Sequence, residues 1–241
     1  MTNDTTTDDD EEGPPPTASR VAARALVLAV VSCRGFIDVD AAEAGDFWSK
    51  VKTWFLALDL DDELEDWEKA VITRPLGTLS DQERADAAWL SEGMLVLAWA
   101  LGRHPIPPYD EAVVAADAAE TLGLLKPRAE TVLTNPVLRS SAELEEFSQD
   151  IFLLHWRLRE FALRPRPIDF ATLAKTAWFG SMSLARVRLI DGDLAIGIER
   201  IDKADESLIR LCSSIAIERH RAINWLVGGS SDIYSEVDTS T

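Results

Sequence analysis

The sequence predicts a mainly α fold (α+β): a single helical domain with a small β-hairpin near 184–198. Three observations lead there. Apolar residues recur at helical spacing through most of 18–227. Ser80, followed three residues later by Glu83, opens an apolar run that Gly102 and Pro105 close, which is a capping box and a stop. At 184–198 the period changes from helical to alternating around Asp191-Gly192, a strong short-range hairpin signal.

Taken in order, residues 1–17 read as an acidic disordered tail, closed by Pro14, Pro15 and Pro16. Ser19 is the expected N-cap of a first helix in which Val21, Ala25, Leu28 and Cys33 share a stripe. A second helix is expected over 41–58, with Phe47, Val51, Trp54, Phe55 and Leu58 on one face. A shorter acidic one over 58–72 should stop before Pro75. The helix at 80–102 is apolar all round in its second half, so it belongs at the centre of the domain. HPIPPYDE at 104–111 is a stiff connector into an alanine-rich helix over 110–122. A long helix from Ser141 to Leu163 ends at the prolines at 165 and 167, and the last helix runs over about 203–227 to Gly228-Gly229. No internal repeat or low-complexity linker divides 18–241, which reads as a single globular domain.

Composition bounds the partners. Hydrophobic residues make up 46% and charged residues 27%, an ordinary globular balance, but the net charge is −18. Six acids and no base lie in the first sixteen residues, yet the rest of the chain is strongly acidic too. Such a field disfavours nucleic acid and anionic membranes and favours a basic protein partner. Cys33 and Cys212 fall inside apolar helical patterns with no partner at metal-ligand spacing, as expected of small buried residues in a reducing compartment. The N-terminus lacks a basic and apolar secretory pattern, and the uncharged runs are too short to span a bilayer. A cytoplasmic location is expected.

Recognised catalytic patterns are missing: no glycine-rich phosphate loop, G-x-S-x-G, H-E-x-x-H or paired C-x-x-C. The three histidines, His104, His155 and His220, fall on different elements, so neither a metal site nor a cofactor is expected. An EF-hand loop starting at Asp59 would need glycine and glutamate where Leu64 and Ala70 stand. Asp191-Gly192-Asp193 has the D-x-D form of a metal motif, but between apolar arms it reads first as a turn.

The last helix carries the best candidate residues. Arg219 falls inside the apolar stripe of Cys212, Ile215, Ala216, Ile223 and Leu226, and a buried guanidinium requires a carboxylate. Glu92, set among apolar residues of the central helix, is the proposed partner, with Glu218 as the alternative. His220 and Asn224 are four apart and share a face, flanked by Glu218 and Arg221. Glu92, Glu218, Arg219, His220 and Asn224 thus form a candidate polar binding face. No catalytic residue is assigned.

Five segments carry a family resemblance: WLSEGMLVLAWALG at 89–102, LLHWRLREF at 153–161, LIDGDLAI at 189–196, ERHRAINWL at 218–226 and YSEVDTST at 234–241. With these, in this order over about 19–241, the chain resembles the bacterial domain-of-unknown-function family 4272. In the terminal segment Tyr234 stands where the family pattern has tryptophan, and Ser235 and Ser240 where it has aspartate. The resemblance implies a fold and no activity. The expectation is a non-catalytic binding or regulatory domain, in its sharper form an acidic inhibitor or immunity-type protein. The alternative is a hydrolase or transferase using the polar face of the last helix.

Overall fold

The computed structural model describes residues 13–37, 39–176, 184 and 186–241. Among these the chain forms α1 (Ala18–Phe36), α2 (Ala44–Leu56), α3 (Asp66–Thr73), α4 (Asp81–Ala100), α5 (Ala115–Leu122) and α6 (Arg128–Thr134). It continues through α7 (Ser141–Leu163), α8 (Phe170–Thr176), β1 (Leu189–Ile190), β2 (Asp193–Ile196), β3 (Glu199–Arg200) and α9 (Glu206–Val227). The core is a row of helices in the order α1–α4–α9–α7, with α4 packed between α1 and α9. The second half of α4, Leu90 to Ala100, is buried throughout, as its continuous apolar sequence requires. No helix among the described residues is long and apolar enough to cross a membrane.

Local signals explain most boundaries. Ser80 and Glu83 form the expected capping box of α4, and Ser140 and Glu143 form the same device at the start of α7. α1 starts earlier than expected: Thr17, not Ser19, is the N-cap, and its hydroxyl accepts from the Arg20 N–H. The acidic helix expected over 58–72 is broken into a 3-10 turn at Asp61–Glu63 and α3, because the Glu68 side chain caps the Glu65 N–H instead. α5 begins only at Ala115: residues 109–111 form a turn, Val114 is extended, and contacts described below hold the segment. The short helices α6 and α8 lack a long apolar stripe and were not anticipated.

The hairpin turn lies where the sequence places it. Leu189 pairs with Leu194 and Ile190 with Asp193, around Asp191 (φ 51°) and Gly192 (φ 81°). Two successive positive φ angles define the tight turn that an Asp-Gly pair accommodates. Two features differ from expectation. A third strand, β3, pairs with β2, and β2 is buried at every residue instead of alternating, since it lies between its neighbours and against α8 and α9. Part of the expected arm, residue 185, lies outside the described residues.

Residues 1–12 of the expected tail also lie outside them. Residues 13–17 pack beside the C-terminal end of α9, where the Gly13 N–H donates to the Gly229 carbonyl at 3.2 Å. The segment after α9 folds back as a strap over 230–241, anchored by Tyr234. That ring is buried, meets Trp225 edge-on at 5.8 Å, and carries the Arg24 guanidinium 4.8 Å from its centroid. Gly93 of α4 has no side chain because a Cβ there would collide with the Tyr234 hydroxyl.

Candidate functional site

α9 presents its polar residues in three directions, and each direction meets different structure. Arg219 and Glu92 form a buried ion pair, both about 1% exposed, with Arg219 Nε 2.8 Å from Glu92 Oε2. The same guanidinium donates to the carbonyls of Pro107 (3.2 Å), Pro108 (3.3 Å) and Glu111 (2.9 Å), while Glu92 Oε1 accepts the Val113 N–H at 2.8 Å. One arginine and one carboxylate therefore pin the proline-rich connector across α4 and α9. These contacts hold residues 111–113 outside any helix.

His220 faces α7. Its Nδ1 lies 3.0 Å from Nδ1 of His155, so one ring must donate and the other accept. Burial first, then the neighbouring His155, pushes His220 down to about 4, and burial lowers His155 as well. Both rings are neutral at neutral pH, and His220 is a poor base there. Asn224 shares that face, as its i, i+4 spacing predicts, and its Nδ2 donates to the Asp238 carbonyl at 3.0 Å. What the two residues meet is the strap: Asp238 and Thr239 lie against them.

Glu218 points away from both groups. It accepts two contacts from Arg221 Nη1, at 2.5 and 2.6 Å, and burial raises its carboxyl above the ordinary range. It lines a cavity of about 260 Å³ with Trp67, Asp86, Trp89, Arg221 and Tyr234. The structure thus joins Glu92 to Arg219 and His220 to Asn224, and leaves Glu218 separate. The five residues do not converge on one cleft.

Among the described residues three further buried carboxylates emerge only from the fold. Arg157 grips Asp193 through two bonds of 2.7 Å, and the carboxylate also accepts the N–H groups of Ile168 (3.0 Å) and Leu194 (2.8 Å). Arg24 is held by Glu68 and by the Glu63 carbonyl at 2.9 Å. The third is Asp150 on α7, 3% exposed, whose two oxygens accept no hydrogen bond. Arg186 Nε lies 3.1 Å from Asp150 Oδ2 as an ionic contact, and burial raises the carboxyl to about 6. Asp150 and Arg219 line a cavity of about 330 Å³ between the connector, α7 and residues 186–187.

A larger concavity, about 770 Å³, lies between α1, α2 and α5 and is walled by Ala29, Cys33, Phe36, Phe47 and Ala119. It holds none of the candidate residues. Burial raises both Cys33 and Cys212 to about 11, which keeps the thiols protonated and unreactive. Among the described residues no three His, Cys, Asp or Glu side chains converge where they could hold a metal ion.

These features define a mainly helical domain whose buried charges chiefly fix its own loops and strap. The chain belongs to the family described as Domain of unknown function (DUF4272), whose model matches residues 3–177. The DGDL and ERHRAINWL segments and the terminal strap lie beyond that matched span, while the central helix and LLHWRLREF fall within it. Neither a curated protein nor a solved structure matches the chain.

Proposed function

We propose that this chain is a cytoplasmic, non-catalytic binding domain, regulatory in role, whose partner is a basic protein. One observation carries the reading. Among the described residues four arginines are buried (Arg24, Arg34, Arg157, Arg219) together with four carboxylates (Glu68, Glu92, Asp150, Asp193). The described interior is therefore neutral by count, and the acidic excess of the described residues lies outside it. Exposed Asp59, Asp61, Asp62 and Asp66 add to it around the 3-10 turn. A field of one sign accelerates association with an oppositely charged protein and discriminates against acidic ones.

The alternative, a hydrolase or transferase on the α9 polar face, has less support. A general base needs a free lone pair and a pKa near the working pH, whereas His220 is paired with His155 and pushed to about 4. Arg219 is fully engaged by Glu92 and three carbonyls.

Affinity capture of the tagged chain from its native cytosol, at low and high salt, tests the proposal. A stoichiometric basic protein that elutes as salt rises is the expected result, because screening shortens the reach of surface charges. Binding insensitive to salt, or no basic protein at low salt, overturns it.

A further inference from the structure

A carboxylate taken out of water without hydrogen-bond donors is an expensive thing to keep in a fold. Asp150 is such a group. Among the described residues its buried oxygens accept no hydrogen bond, and its ion-pair partner is Arg186, a side chain 44% exposed. The Arg186 guanidinium carbon sits 5.6 Å from the Phe147 ring centroid, a cation–π distance. The site thus already holds a guanidinium, the chain's own, over an aromatic face and beside a carboxylate. It holds it poorly, since the contact to Asp150 lacks hydrogen-bond geometry.

The cavity of about 330 Å³ beside this pair has walls suited to an alkyl stem: Ile106, Pro107, Pro108, Phe147 and Leu154. The other charged groups facing Asp150 do not compete for a cation. Arg219 across the cavity is neutralised by Glu92, and the Tyr109 hydroxyl is spent on the Ala195 carbonyl. Glu146, one turn back on α7, adds negative potential.

We propose that this cavity receives the alkyl-cation end of a basic side chain, arginine above lysine, with Asp150 as its hydrogen-bond acceptor. Arg186 turns out to solvent as the incoming cation enters. A guanidinium is preferred because its planar fork gives the two carboxylate oxygens parallel bonds from two nitrogens, whereas an ammonium offers a single point charge. This inference rests on the basic-partner reading and supplies that partner's anchor, a charged stem in a pocket of the kind that dominates interface energetics.

N-butylguanidinium is the probe, N-butylurea its uncharged near-isostere and butylammonium the second cation, each titrated against the whole chain by heteronuclear NMR. Saturable binding of butylguanidinium is expected at least tenfold tighter than of butylurea, with butylammonium between them. Asp150→Asn should remove the tenfold preference, and Arg186→Gln should tighten butylguanidinium several-fold by removing the resident competitor. Thermal unfolding confirms that both variants are folded. Equal affinity for the cation and the urea overturns the assignment, as does a preference that survives Asp150→Asn or is lost in Arg186→Gln. The two proposals fail separately. A basic partner captured equally well by Asp150→Asn discards the anchor alone, whereas probe binding with no salt-dependent partner discards the basic-partner reading alone.

Discussion

Two carboxylates buried to nearly the same degree, Asp193 and Asp150, sit at opposite extremes of satisfaction. Asp193 receives two bonds from Arg157 and two from backbone N–H groups, and it ties β2 to α7 and to the segment leading into α8. Among the described residues Asp150 receives none and has one half-exposed arginine at ionic distance. The contrast separates polar groups that hold this fold together from one that the fold merely tolerates. A carboxylate with every lone pair answered has nothing left for a ligand; one with none answered is primed to accept donors.

The largest test of the contrast is Asp193→Ala. It strands a buried guanidinium and two N–H groups, and should cost about 3–5 kcal/mol in denaturant unfolding. A loss below about 1 kcal/mol would mean that Arg157 finds another partner and that the satisfied cluster is not structural. Glu92→Ala should follow, at about 3 kcal/mol, by freeing Arg219 and the Val113 N–H. If that variant unfolds at the wild-type temperature, the connector is held by other means.

Asp150→Asn should move stability the other way, raising it at neutral pH by roughly 1–3 kcal/mol. The sign follows from linkage. Asp150 has a folded value near 6, above the ordinary carboxyl range, so the folded state binds the extra proton below that pH. Its cost is absent in acid, grows as pH rises through about 4 to 6, and is complete above 6. His220, held down near 4, acts oppositely: its contribution is complete above the ordinary histidine value and is lost as pH falls from about 6.5 towards 4. The wild-type chain has these two slopes opposed between pH 4 and 6. Asp150→Asn removes the first of these slopes and keeps the histidine one, so its stability should fall more steeply with acid than the wild type's, which unfolding curves at several pH values would measure. A variant with the wild-type pH profile refutes the assignment of the cost to Asp150.

Tyr234→Phe is the smallest expected effect. The hydroxyl is buried against Gly93 without a hydrogen bond, so removing it should leave the melting temperature unchanged or raise it by the equivalent of about 1 kcal/mol. A loss larger than that would show a partner for the hydroxyl, and place Tyr234 on the satisfied side of the comparison.

How much was legible depended on where each group's partner lay in the chain. Arg219 and Glu92 could be paired from sequence because each interrupts an apolar helical stripe, and an interrupting charge must be answered. Arg24, inside RVAARALVLAVV, and Arg157, inside LLHWRLREF, carry the same signal, but their partners Glu68 and Asp193 do not stand inside apolar helical stripes. Asp193 reads as part of a turn in the sequence, since only the burial of β2 on all sides distinguishes it from Asp191, which is exposed. Asp150 could not be read. It lies in the acidic, polar-looking opening of α7, and its burial is made by the connector and residue 186, both distant in sequence. The i, i+4 spacing placed His220 and Asn224 on a common face correctly, but the backbone that covers it comes from 238–239. Helices opened by a Ser-x-x-Glu capping box, α4 and α7, lie within a residue or two of their expected bounds. α3, whose capping box is built from Glu65 and Glu68, and α5, set by tertiary contacts, depart further from the expected bounds.

The neutral interior has one more consequence. Like charges confined to a shell repel one another, and dissolved ions relieve that repulsion. Added sodium chloride should therefore raise the chain's unfolding temperature even as it loosens the chain's hold on a cationic partner. Resilience of the free protein and grip on its target respond to brine with opposite signs.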